Sequence, residues 1–211
     1  MVVSSPTAKS GPITEKSISK STKAPEKSLE AGKERGMMEF CTLPKRSAKP
    51  RNIGLTHVID KGIGLRQVED LLETASDHID ILKLGWGTGY VTQNVLDKIK
   101  LYQSAGIPVC FGGTLLELAI LQGKFDDFRA MLHRSGVTHA EISNGVINLE
   151  PEEKRKYIRK LKDDGFKVLA EVGSKASDKV IAPYRWVELI KADIDAGAWK
   201  VICEARESGT V

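Results

Sequence analysis

The residues able to do chemistry sit at the ends of short apolar runs. Lys83 lies in Ile79-Asp-Ile-Leu-Lys-Leu84 and is followed by the glycine-rich turn Gly85-Trp-Gly-Thr-Gly89. Comparable positions carry Asp60-Lys61, Gly112-Gly113-Thr114, Glu141, Glu171 with Lys175, and Glu204 with Arg206, Glu207 and Ser208. Strand side chains alternate between faces, so Lys83, Glu141 and Glu171 can all point into one mouth. Uncompensated buried charge is costly. Lysines set against carboxylates relieve that cost, and a hard divalent ion would relieve it further. The mixture suits a small, multiply anionic substrate held by Lys/Arg and Mg2+. Ser143 and Ser174 have no paired His and Asp, which argues against a serine hydrolase. His57, His78, His133 and His139 show no metal-ligand spacing and read as structural or surface residues. A Schiff-base aldolase using Lys83 or Lys175 is a competing reading, though nearby carboxylates should keep those lysines protonated.

The elements that must position these groups recur with a regular period. Strands are expected at 52–60, 79–84, 106–111, 139–143, 167–172 and 199–204. Helices are expected between them at 65–75, 91–104, 115–122, 125–133, 151–163 and 184–196. Alternating strands and helices predict a parallel α/β sheet. No G-x-G-x-x-G opens a helix after the first strand, which argues against a dinucleotide-binding fold. Regular β/α units with polar strand exits predict a TIM (β/α)8-type barrel, with chemistry at the C-terminal strand ends. Only six strands are evident before Val211, so the expected barrel is truncated after strand 6. Its open edge would favour self-association into a homo-oligomer.

Residues 1–48 are rich in Ser, Lys, Thr and Pro, and are expected to form a disordered basic tail ahead of a barrel domain at 49–211. A weak helix is expected at 26–40. Residues 1–50 hold ten Lys/Arg against five Asp/Glu, and the remainder holds 22 against 23. The net charge of +4 therefore belongs to the tail. No basic groove with interleaved aromatics marks a nucleic-acid partner. No apolar run approaches membrane-spanning length, and no secretory signal is evident. Three well-separated cysteines, Cys41, Cys110 and Cys203, read as reduced thiols of a cytoplasmic protein. The acidic-basic run from Glu150 to Lys162 reads as a solvated helix face.

As a set, the strand exits resemble the phosphosulfolactate synthase (ComA-type) family. The carriers are Val58-Ile-Asp-Lys-Gly62, Lys83-Leu-Gly-Trp-Gly-Thr88, Gly112-Gly-Thr114, Gly123-Lys-Phe-Asp126, Glu141-Ile-Ser-Asn-Gly145, Glu171-Val-Gly-Ser-Lys175 and Glu204-Ala-Arg-Glu-Ser-Gly209. They run collinearly from about Asn52 to Thr210. The resemblance implies a TIM barrel and a Mg2+-dependent lyase that adds sulfite to phosphoenolpyruvate, giving (2R)-3-phosphosulfolactate in a coenzyme M biosynthesis-type reaction. It also implies roles. Lys175 would be the proton donor and Lys83 a second catalytic lysine. Glu141, Glu171 and Asp60 would hold the metal. Lys61, Arg206 and Ser208 would bind substrate, and Gly112 and Gly113 would offer backbone N–H groups to an oxyanion. The family pattern often has Asp where Asn144 stands. A non-catalytic, barrel-derived stress or interaction protein of the same family is the alternative.

Overall fold

The computed structural model describes residue 42, residues 44–173 and residues 181–204. The expected tail helix and the exits carrying Lys175, Arg206 and Ser208 lie outside these residues. A compact folded unit begins at Arg46. Arg46 already belongs to that unit. It pairs with the buried Asp80 at 3.0 Å, beside Arg51 at 2.8 Å. Lys49 donates to the Ser76 carbonyl at 2.9 Å. The folded unit therefore starts slightly ahead of the boundary that composition suggests.

Among the described residues, six parallel strands alternate with helices. In chain order they are β1 (His57–Asp60), α1 (Leu65–Ala75), β2 (Ile81–Leu84), α2 (Thr88–Val91), α3 (Val95–Ser104), β3 (Val109–Phe111), α4 (Gly113–Leu121), α5 (Phe125–Ser135), β4 (His139–Ile142), α6 (Pro151–Asp163), β5 (Lys167–Gly173), α7 (Pro183–Asp195) and β6 (Lys200–Glu204). The helix expected at 91–104 is broken in two, with Thr92 ending α2 in an extended conformation.

The strands form two three-stranded parallel sheets, β1-β2-β3 and β4-β5-β6. Among the described residues, no ladder joins β3 to β4 or β1 to β6. β3 is only three residues long and runs almost directly into α4. Side chains and one backbone N–H bridge the β3–β4 seam in place of a ladder.

Period-two alternation sorts each strand into two faces. Val58, Leu82, Leu84, Val109, Phe111, Ala140, Ile142, Val168 and Ala170 meet the helices in the main apolar core. The register Ile59↔Lys83↔Cys110 puts Lys83 and Cys110 on the other, helix-free face. Glu141↔Leu169↔Lys200 and Glu171↔Ile202 do the same in the second sheet. Ile81, Cys110 and Leu169, from both sheets, form a small apolar cluster on that face, flanked by Leu55, Trp199 and Ile202. The helix-free faces therefore pack together, and the charged strand ends lie above this plug. No helix among the described residues is long and apolar enough to cross a membrane.

Candidate active site

Lys83 and Glu141 come from different sheets and meet above the plug. Lys83 Nζ lies 3.0 Å from Glu141 Oε1. The Gly113 N–H donates to the same oxygen at 2.9 Å. Glu141 is 2% exposed, and its other oxygen, Oε2, is buried with no hydrogen-bond partner. A buried carboxylate oxygen left unsatisfied is expensive and needs an explanation. Burial opposes the charge on Lys83, but Glu141 and Glu171 outweigh it and raise the lysine pKa above its ordinary value. Lys83 is thus held as an ammonium between two carboxylates. A Schiff-base nucleophile requires the opposite shift.

Two further groups on this face approach Glu141. His57 Nε2 lies 3.9 Å from Cys110 Sγ. One ligand atom from each of His57, Cys110 and Glu141 falls within 4.8 Å of the others. Burial, then the charge of Lys83, lowers the His57 pKa to about 4, so its imidazole is neutral at physiological pH. Burial and the Glu141 charge push the Cys110 thiol well up.

Glu141 owes its address to the turns around it. A Cβ at Gly113 would collide with Ser143 Oγ and fall 2.8 Å from the Ser143 backbone N, so only glycine fits that seam. Ser143 itself donates to Glu117, a buried carboxylate on α4. Glu117 also accepts from the backbone N–H groups of Gly145 (3.0 Å), Val146 (2.6 Å) and Ile147 (2.8 Å). One helix side chain therefore ties down the whole exit loop of β4. Burial opposes the charge on Glu117, but these donors prevail and lower its pKa. At the end of β5, Lys154 of α6 donates to the Glu171 carbonyl and to Asp193 of α7, both at 2.6 Å. Lys154 is an exception to the solvated face expected of residues 150–162, being 5% exposed. At the rim, Lys61 is exposed and its Nζ sits 4.6 Å from the centroid of the Trp86 ring.

Lys83 and Glu141 are brought together, and Glu171 lies near enough for its charge to act on Lys83. Two expectations are corrected. Asp60 is not in the group. It shares the helix-covered face with its register partner Leu84, and its four contacts are all structural. Oδ2 accepts from Lys98 Nζ (3.0 Å) and Tyr102 OH (3.1 Å), and Oδ1 from the N–H groups of Gly62 (2.7 Å) and Ile63 (3.0 Å). Gly112 and Gly113 do not present free N–H groups either. Gly112 N–H is bonded to the Leu84 carbonyl at 2.9 Å, and Gly113 N–H serves Glu141. Sequence reasoning missed Glu117, Lys98 and Lys154. For Glu117 there was a signal, a lone carboxylate in the apolar run Leu115-Leu-Glu-Leu-Ala-Ile-Leu121.

The described residues form an α/β unit of parallel strands with a lysine and carboxylates gathered near the strand ends. A family model described as ComA, (2R)-phospho-3-sulfolactate synthase, matches residues 44–211. The chain belongs to this family. It is 42% identical over 175 residues to the phosphosulfolactate synthase of Methanothermobacter thermautotrophicus, covering 81% of this chain and 67% of that protein. It is 42% identical over 170 residues to the phosphosulfolactate synthase of Bacillus subtilis, covering 80% and 67%. It is 45% identical over 160 residues to that of Methanocaldococcus jannaschii, covering 74% and 64%. The chain thus spans about two thirds of the length of these relatives.

Proposed function

We propose that this site adds sulfite to phosphoenolpyruvate to give (2R)-phospho-3-sulfolactate, within a TIM-type barrel of which the six described β/α units form part. The observation that carries the reading is the Lys83–Glu141 pair with its unused, buried Oε2. The sulfite sulfur lone pair forms a bond to the terminal methylene carbon of phosphoenolpyruvate. The electron pair of the carbon–carbon double bond moves toward the carboxylate, and a proton then arrives at C2. Lys83 is placed to neutralise charge building on that carboxylate in a water-poor site, where a fixed cation is worth most. Lys61, at the rim, suits the phosphate or sulfite. Lys175, Arg206 and Ser208 keep the roles the resemblance gives them, with Lys175 as the proton donor.

The donor set fits Mg2+, whose preference is for hard oxygen ligands. Glu141 Oε2 and the Glu171 carboxylate would hold it, and Asp60 would not. When bound, the ion supplies Lewis-acid stabilisation of the enolate-like charge. Small anions are the only partners this reading needs. It invokes neither nucleic acid nor membrane, and it suits a cytoplasmic setting.

Sulfite-dependent loss of phosphoenolpyruvate, followed by phosphorus NMR with and without Mg2+, tests the proposal. Loss only when sulfite and Mg2+ are both present is expected. No loss under any condition sinks the reaction and favours the non-catalytic alternative.

A further inference from the structure

The proposed reaction employs Glu141 but leaves His57 and Cys110 without a role. Both lie beside it on the helix-free face. His57 reaches Glu141 from β1, Cys110 from β3, and the carboxylate itself projects from β4. Imidazole, thiol and carboxylate form an unusual trio to hold within 4.8 Å. It is the donor set of a zinc-type site with one open position. An ideal tetrahedral zinc centre sets its nitrogen and sulfur ligands about 3.5 Å apart. The 3.9 Å between His57 Nε2 and Cys110 Sγ closes to that with a shift of a few tenths of an ångström. A second, independent observation points the same way. Glu141 is 98% buried, and its Oε2 is the single buried side-chain N or O atom among the described residues that lacks a hydrogen-bond partner. Its Oε1 already serves Lys83 and Gly113, so Oε2 has lone pairs to spare without breaking either bond.

The geometry points to a binding site for a borderline-soft divalent cation, Zn2+ or Co2+, on His57 Nε2, Cys110 Sγ and Glu141 Oε2. Binding releases the Cys110 thiol proton to solvent, and the ion joins one thiolate, one carboxylate and one neutral imidazole. The charges of ion and ligands then cancel, which keeps the site compatible with the Lys83 ammonium 3.0 Å from Oε1. Sulfur and imidazole select zinc, cobalt, nickel or copper over magnesium. The site stands on the chain's own donors and does not depend on the proposed reaction. If that reaction holds, a zinc-type ion takes the oxygen that magnesium would use, and inhibits.

Titrating the purified chain with Co2+ tests the site through its absorption spectrum, with no reference to activity. One equivalent should produce a thiolate-to-cobalt charge-transfer band in the near ultraviolet and intense visible bands of a four-coordinate ion. Zn2+ should abolish both. Cys110→Ala should remove the charge-transfer band, and His57→Gln should weaken binding at least about 100-fold, the upper end of what changes behind a ligand cost. Cys41→Ser and Cys203→Ser should leave the spectrum intact. Thermal melting of each variant checks that it folds. A wild-type chain that shows no charge-transfer band overturns the site, as does a band that survives in folded Cys110→Ala.

Discussion

Asp60 and Glu141 are both carboxylates buried near a strand end, and they are furnished in opposite ways. Asp60, on the helix-covered face, receives four donors, two from side chains and two from the backbone. Glu141, on the helix-free face, receives two donors on one oxygen and none on the other. A carboxylate whose job is to hold the fold is saturated by the fold. One left half-empty at the same depth stores binding capacity for something else, because an unsatisfied buried oxygen only costs stability. Glu117 belongs with Asp60 in this respect, each of its oxygens being occupied.

Substitutions should separate the two kinds. Asp60→Ala leaves the buried Lys98 ammonium unpaired and should cost about 3–5 kcal/mol in denaturant unfolding. Glu141→Gln should cost only roughly 1 kcal/mol of stability, since the amide can still accept from Gly113. The same change should slow the proposed sulfite-dependent loss of phosphoenolpyruvate about 100- to 1,000-fold, as expected when a charge that organises the transition state is removed. Equal stability losses in the two variants would erase the distinction.

A third measurement uses pH. Burial, reinforced by Lys83 for His57 and by Lys167 for His139, lowers both imidazole pKa values from 6.5 to about 4. Between those limits the unfolded chain binds protons that the folded chain refuses. Stability should therefore fall as pH drops from 6.5 toward 4, by at most about 1.4 kcal/mol per pH unit for each histidine. His57→Gln should flatten its share of the slope in denaturant midpoints taken across that window, and an unchanged slope would contradict the burial. The smallest effect belongs to the surface. Lys124 and Asp127 form a 3.4 Å pair in which both side chains are more than 60% exposed. Asp127→Asn should move stability by less than about 0.5 kcal/mol.

The order of elements was legible in the sequence because strand length, apolar runs and glycine turns are local signals. The meeting of Lys83 with Glu141 was legible as well, from their shared place near strand ends. Asp60 entered the metal set through the resemblance alone, and strand parity excludes it. Its neighbour Ile59 pairs with Lys83, which puts Asp60 one residue out of step and on the other face. The trio of His57, Cys110 and Glu141 could not be seen as ligand spacing, since each member sits on a different strand and Glu141 reaches the other two across the seam between the sheets, where no ladder among the described residues fixes a register. Lys98 and Lys154 look like any lysine of an amphipathic helix. Only packing shows that their ammonium groups reach Asp60 and Asp193.

The missing side chain at Gly113 has a consequence for how this protein can change. A methyl group there would act as a wedge, pushing the β4 turn off α4 and carrying the Glu141 carboxylate away from its lysine. Docking of the two sheets and the Lys83–Glu141 contact at their seam are thereby fastened to one hydrogen atom. A lineage could not loosen the first without forfeiting the second.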